Sequence, residues 1–298
     1  MSAPPTVVVS VLNWNQAEHT EQCVRALLAL DYPNLTICVT DNASREFPQE
    51  RLAALSPQLQ FFRHAENVGY AAGHQAALAY AQAQGAELFW LLNNDARVNA
   101  DTLAELLAAY RSHGEGLYSS RGVDAEGRAL PEVIWGLQEG QCTFQPIPQA
   151  TLAEPITQRV ANGLGYSMLI PLSVMDKHGF IDPSFFLYFE ETDYCLRLLA
   201  QGVPSFWVGR STVYHAEMGS TTPHPALAGV VQYYLYRNLY HVLRRHAPRR
   251  IRWHFLWDWG KRWLLRRSDR LTYHQALGIR HGLRGIWGKT LAPEDFLD

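Results

Sequence analysis

The chain has 298 residues, 47% hydrophobic and 18% charged, which excludes a disordered chain and allows one large domain with an appendage or two modest ones. Its net charge of −2 hides an asymmetry. Between Arg237 and Lys289, fourteen Lys/Arg face two acids, Asp258 and Asp269, or about +12, while the remainder holds twelve basic and twenty-six acidic residues, or about −14.

Thr6 to Leu12 (TVVVSVL) is a β-branched run short enough for a buried strand. Ala17 to Leu30 has helical spacing, and Asp31-Tyr32-Pro33-Asn34 is turn chemistry. Leu35 to Thr40 and Leu59 to Arg63 read as strands, Ala71 to Ala83 as an alanine-rich helix, and Leu88 to Leu92 as a strongly apolar strand. Asp101 is expected to N-cap a helix through Tyr110. Such alternation predicts a parallel sheet covered by helices.

From Gly122 to Gln158 periodicity is lost among prolines 131, 146, 148 and 155, which predicts a long excursion. Order returns at Asn162 to Ile170, followed by helices over Pro171–His178 and Glu191–Gln201, with extended segments near Val203–Val208 and Thr212–Tyr214. Beyond Pro223 the chain reads as helical, interrupted at Pro248. No apolar window of roughly eighteen residues occurs, and Met1 to Thr6 carries no basic n-region, so neither a transmembrane helix nor a signal peptide is expected. The scattered cysteines (Cys23, Cys38, Cys142, Cys195) show no CxxC or Cys/His ligand spacing, which reads as thiols in a reducing, cytoplasmic setting.

Polar clusters close three of the expected strands: Asn13-Trp14-Asn15, Asp41-Asn42 and Asn93-Asn94-Asp95. In an open parallel sheet these carboxyl ends share one edge, beside which ligands bind. Any one cluster could simply terminate a strand; three together, with two aspartates, favour a site. Asn67 to Gly73 (NVGYAAG) is a small-residue loop opening a helix, suited to close backbone approach and to phosphate, or merely to helix packing. It matches neither GxxxxGK[ST] nor GxGxxG.

Phe185 to Asp193 (FFLYFEETD) runs an aromatic wall into three acids. Helix-dipole placement and an Asp193–Arg197 pair would explain two of them structurally. The apolar run should nonetheless bury the acids and raise their pKa towards that of a general base, with Glu191 the favoured one. His215 follows the strand-like Thr212-Val213-Tyr214, and spacing alone leaves it a ligand or a structural residue.

In their order, VVVSVLNWN, TDNAS, NVGYAAGHQAAL, LLNND, the strand ending at Met168-Leu169-Ile170, FFLYFEETDYCLRL, VYH and YYLYRN resemble the family 2 glycosyltransferases, especially the rhamnosyltransferase-like branch. The resemblance covers about residues 6 to 240. It implies an α/β GT-A fold, a nucleotide-binding mixed sheet flanked by helices, with a C-terminal helical extension. The corresponding organisation is a catalytic domain over 1–222, donor-binding to about 121 and acceptor-binding over 122–222, and a basic, Trp-rich region over 223–298.

Carried across, the resemblance implies that Asp41 meets the base or ribose, and that Asn13, Asn15, Asn67, Gly69, Gly73, Asn93 and Asn94 border the donor. It implies that Asp95, joined by His215, holds Mg2+ or Mn2+. Glu191 stands at the position of the catalytic base with Glu190 beside it, where the family often has aspartate. Phe189, Glu190 and Asp193 would meet the acceptor. The expected reaction is inverting and non-processive, since no QxxRW motif appears, with dTDP-rhamnose the favoured donor and a glycan or lipid-linked acceptor.

The stretch Arg244 to Arg270 interleaves Trp253, Phe255, Trp257, Trp259 and Trp263 with arginines, which suits an anionic membrane surface. Packing on the catalytic domain or a homodimer would use the same residues; no nucleic-acid recognition fold accompanies them. The competing readings are a nucleotidyltransferase, which would normally show a Gly-rich loop with Lys or Arg after the first strand, and a non-catalytic sugar-nucleotide-binding protein.

Overall fold

The computed structural model describes residues 3–215, 225–266 and 270–297. Its strands are β1 (Val7–Asn13), β2 (Leu35–Asp41), β3 (Gln60–Arg63), β4 (Leu88–Asn93), β5 (Ala96–Val98), β6 (Leu117–Val123), β7 (Trp135–Gln138), β8 (Gln141–Pro146), β9 (Thr157–Val160), β10 (Ser167–Pro171) and β11 (Ser205–His215). Its helices are α1 (Ala17–Leu28), α2 (Gln49–Ala53), α3 (Tyr70–Gly73), α4 (Gln75–Ala83), α5 (Thr102–His113), α6 (Gln149–Leu152), α7 (Leu172–His178), α8 (Glu190–Leu199), α9 (Ala228–His246), α10 (Arg249–Arg266) and α11 (Arg270–Arg284).

The main sheet runs β3-β2-β1-β4-β10-β6-β11-β5, with β9 paired to β11. The first four strands are parallel and β10 is antiparallel to both its neighbours, so the sheet is mixed. Both faces are covered. In β4, Leu88, Trp90 and Leu92 enter the cluster shared with α1 and α5. The alternate residues Phe89 and Leu91 enter the one shared with α4, α7 and α8. Period-two alternation with both faces buried makes such a strand read as a continuous apolar run. Each large side chain so buried contributes about 1.5–3 kcal/mol.

Several elements differ from the sequence expectation. The helix expected over Ala71–Ala83 is two, α3 and α4, with a break at His74. Asp101 precedes α5, but its side chain makes no capping bond; its backbone carbonyl accepts from Glu105 N–H instead. The 122–158 excursion is ordered in part: β6 runs into it, β7 and β8 form a hairpin, and α6 and the start of β9 complete it. The extended segments at 203–208 and 212–214 are one strand, β11, with a register shift between Val208 and Thr212.

The expected helices after Pro223 are present, with the break at Pro248 between α9 and α10. Helices α9 and α11 pack so closely that a Cβ on Gly278 would stand 2.4 Å from the Tyr233 carbonyl oxygen. Pro223, the expected 222/223 domain boundary, Arg267 and Asp269 lie outside the described residues. Among the described residues, no helix is long and apolar enough to cross a membrane.

Candidate active site

The carboxyl ends of β1 and β4, the loop before α3, the turn before β10, the aromatic wall before α8 and the end of β11 surround a cavity of about 370 Å³. Asn67, Gly69, Asn93, Asn94, Asp95, Glu190, Glu191 and His215 all line it. The sequence-predicted residues from four separate stretches are therefore brought together.

Others stand behind the wall. Asn13 and Asp41 are fully buried and paired in register. Asn13 Nδ2 donates to Asp41 Oδ1 at 2.8 Å and to Ser44 Oγ at 3.0 Å. Ser44 N–H donates to Asp41 Oδ2 at 3.1 Å, and Arg63 Nε lies 3.3 Å from the same oxygen. Asn15 is exposed, its amide on Ser44 Oγ and its Oδ1 accepting from Arg45 N–H. None of the three lines the cavity. Asn42 does, and it knits the Asn67–Gly69 loop, donating to Asn67 Oδ1 and the Gly69 carbonyl and accepting from Val68 N–H.

Gly69 has φ +84°, and a Cβ there would meet the Phe186 carbonyl oxygen at 2.4 Å. Gly73 does not face the cavity; a Cβ on it would strike the Leu12 side chain at 2.6 Å, so its smallness serves helix-on-strand packing.

Asp95 is 5% exposed, and neither carboxylate oxygen has a hydrogen-bond partner. His215 Nε2, also without one, lies 3.3 Å from Asp95 Oδ1. An orphaned buried carboxylate costs several kcal/mol unless something compensates it. A divalent cation taken by one carboxylate and one imidazole would do so, leaving its remaining positions to other ligands, so these two residues fit Mg2+ or Mn2+. No cluster of three or more His, Cys, Asp or Glu able to hold a metal occurs among the described residues.

The His215 ring stacks on Tyr166 at 4.7 Å. The Tyr166 hydroxyl in turn donates to Glu132, whose carboxyl burial pushes up to about 7 despite that bond. Glu132 comes from the excursion, where no local pattern marked it.

The two glutamates that open α8 line the same cavity. Burial raises both carboxyls: Glu191 to about 7, and Glu190 well above its usual range, with the charge of Glu191 adding to its desolvation. Glu190 Oε2 is buried without a partner. The wall before them is strained, with Phe186, Tyr188 and Phe189 at φ +66°, +67° and +67°. Non-glycine residues held there cost on the order of 1–3 kcal/mol each and persist only where their surroundings fix them.

Phe186, Leu187 and Tyr188 face the cavity. Phe189 instead packs with Trp135, Phe185 and Val242. Asp193 is fully buried away from the cavity, bonded to His246 at 2.8 Å and to Arg197 and Arg245 at 3.1 Å each. Burial pushes its carboxyl up, but these partners outweigh that and hold it below the usual range. Of the residues expected to meet an acceptor, only Glu190 lines the cavity, beside Phe186, Leu187 and Tyr188; Phe189 and Asp193 do not.

A mixed sheet with this edge and these loops is the GT-A fold, as comparison with solved structures shows. A mannosyltransferase from Pyrobaculum calidifontis, in complex with GDP-Man and Mn2+, matches with a TM-score of 0.58 at 16% identity, over 99% of this chain and 79% of its own. GalNAc-T7 with UDP, GalNAc and Mn2+ matches at 0.57 and 16% identity, over 80% and 51%. The S. aureus TarS 1–349 complex with UDP-GlcNAc matches at 0.56 and 12% identity, over 82% and 68%.

In sequence, residues 6–150, just short of half the chain, match the Glycosyl transferase family 2 model. The low-salt glycan biosynthesis hexosyltransferase Agl10 of Haloferax volcanii is 24% identical over 178 residues, 55% of this chain and 53% of that protein. The chain thus matches about half the length of this curated relative. Both matches are to proteins described as glycosyltransferases.

Proposed function

We propose that the chain is an inverting, metal-dependent glycosyltransferase that moves one sugar from a nucleotide diphosphate to a hydroxyl of a glycan or lipid-linked acceptor. The observation that carries this is the content of one cavity: it is lined by Asp95, without a hydrogen bond and 3.3 Å from His215, and by the buried Glu190–Glu191 pair. Neighbours of the same fold hold UDP- or GDP-sugars or Mn2+, which supports donors of that class. The resemblance to the rhamnosyltransferase-like branch favours dTDP-rhamnose, with UDP- and GDP-sugars open.

In this reading Glu191 takes the proton of the acceptor hydroxyl as its oxygen bonds to the anomeric carbon. The bond from that carbon to the diphosphate oxygen breaks in the same displacement, so one base suffices and configuration inverts. Glu190, whose carboxyl burial and the neighbouring Glu191 charge raise well above the usual range, lies beside it to meet the acceptor. Asp95 and His215 would hold the cation, which supplies charge neutralisation to the departing diphosphate. Asn42, Asn67 and Gly69 shape the donor loop. Turnover of dTDP-rhamnose, UDP- and GDP-sugars with Mn2+ or Mg2+ tests the proposal. Binding of a sugar nucleotide without turnover would indicate a binding protein, and transfer of a nucleotidyl group would indicate the other enzyme class.

The same reading assigns α10 to an anionic bilayer surface, where a lipid-linked acceptor would lie. Trp253, Trp257 and Leu264 share one helical face and are 70%, 65% and 65% exposed. Aromatics beside Arg and Lys suit headgroup depth.

A further inference from the structure

Arg237 and Asn238 sit in the middle of α9, fully buried and outside the cavity lining. Their donors converge on the aromatic wall. Asn238 Nδ2 lies 2.9 Å from the Phe185 carbonyl oxygen, 2.7 Å from that of Leu187 and 3.0 Å from that of Tyr188. Arg237 Nη2 donates to the Phe185 carbonyl at 2.7 Å, and its Nη1 to the Gly288 carbonyl at 2.7 Å and Thr290 Oγ1 at 3.0 Å. The remaining carbonyl, that of Phe186, accepts from Tyr70 N–H at 2.8 Å.

Four consecutive carbonyls are therefore captured, in the segment where three residues have positive φ. Arg237 Nε also donates to Asn238 Oδ1 at 2.9 Å. That occupies the acceptor end of the amide and leaves its two N–H groups for the wall. Among the described residues no carboxylate pairs with Arg237; carbonyl dipoles and the Tyr234 ring at 4.6 Å surround its charge. If Arg237 only filled core volume, an apolar side chain would do so with less desolvation, so its donors are the reason for an arginine here.

We infer that Arg237 and Asn238 are positioning residues: from α9 they hold the strained wall in shape and thereby set where Glu190 and Glu191 stand. The inference rests on the reading of Glu191 as the base. Neither residue reaches a substrate; each acts through the backbone that carries the acceptor face. The network of Asp193 with Arg245 and His246 ties the first turn of α8 to the same helix.

The test is hydrogen exchange, by mass spectrometry, on the full chain and its Asn238→Ala and Asn238→Asp variants. The aspartate keeps the shape but turns acceptors towards three carbonyls. Exchange over 185–191 should rise by about tenfold or more while β1 and β4 stay protected, the signature of a locally opened unit. Affinity for the nucleotide diphosphate that binds (dTDP, UDP and GDP, each tried with Mn2+) should stay within about twofold, because Asp95 follows β4 and Asn42 holds the Asn67–Gly69 loop from the sheet edge even where the Tyr70–Phe186 bond loosens. In the same variants Glu191 gains water, so the acid limb of the pH–rate profile should move to lower pH.

Unchanged exchange over 185–191, or loosening spread evenly through β1 and β4, would overturn the inference. Arg237→Lys, which keeps the charge and fewer donors, is the milder variant should those at Asn238 fail to fold, and it should loosen the same segment. Exchange is read without substrate. A chain that turned over no sugar nucleotide would therefore sink the catalytic reading while the clamp remained measurable.

Discussion

Replacing Glu191 by Gln keeps the size of the side chain and much of its hydrogen bonding but removes the proton acceptor. Burial puts the Glu191 carboxyl at about 7, so the wild-type rate should fall about tenfold per pH unit below that value as the base becomes protonated. A positioned base is worth roughly 10²–10⁴ in rate, or about 2.7–5.4 kcal/mol at 1.36 per tenfold. Glu191→Gln should therefore lose at least about a hundredfold in kcat, keep its donor affinity and lose the acid limb of its profile.

Stability carries an independent sign. A folded-state value of about 7 against the ordinary 4.5 means the folded chain holds a proton that the unfolded one releases between those values. Wild-type stability from this group is then present below about 4.5 and lost as pH rises through about 7. The glutamine variant has no proton to release, so its denaturation midpoint should vary less across that window. The assays are initial rates of sugar-nucleotide turnover from pH 5 to 9, calorimetric donor binding, and denaturant midpoints at three pH values. An active Glu191→Gln beside a crippled Glu190→Gln would show that the base is the other residue, and a flat wild-type profile would refute the base altogether.

Asp95→Ala should abolish metal-dependent turnover without unfolding the chain, since it removes a carboxylate that no hydrogen bond satisfies; activity still requiring metal would move the cation elsewhere. Asp41→Ala should cost about 1–3 kcal/mol of stability, because the buried Asn13 amide and Ser44 N–H lose their acceptor; an unchanged denaturation midpoint would contradict that structural part. Trp253→Ala with Trp257→Ala should weaken binding to anionic vesicles, in a salt-sensitive way, and leave the melting temperature unchanged because both rings are exposed. A large stability loss with no lipid-charge dependence would make α10 a packing element.

Where the physics was local, the sequence announced it. Strands β1, β2 and β4 are covered on both faces, so they appear as apolar runs, and the acids opening α8 follow a wall too hydrophobic to miss. Strand β6 was illegible because its core-facing positions include serines. Ser120 bonds both Ser167 and Ser211, a buried hydroxyl network that breaks the apolar pattern a strand is recognised by. The β7–β8 hairpin turns on Glu139 and Gly140, at φ +51° and +77°, without the Asn-Gly or Asp-Gly pair that usually marks such a turn. At the site, Asn13 and Asp41 were rightly placed at one sheet edge, but spacing cannot say that they satisfy each other rather than face the cavity. Nor could it join Asn238 to carbonyls about fifty residues earlier, since donors and acceptors share no periodicity.

The cleft draws on Leu12 and on Pro293, and its wall is held by bonds that reach from α9. Almost every contact that shapes it is long in sequence. Closing such contacts demands that most of the chain be made and already collapsed, because loop-closure entropy precedes any gain from the contact. During synthesis the parallel half, up to β4, can settle while Phe185, Phe186 and Tyr188 still show bare rings and unclaimed carbonyls to solvent. That interval is when the molecule most invites misassociation, so its yield in a cell should depend on how quickly α9 arrives to cover the wall.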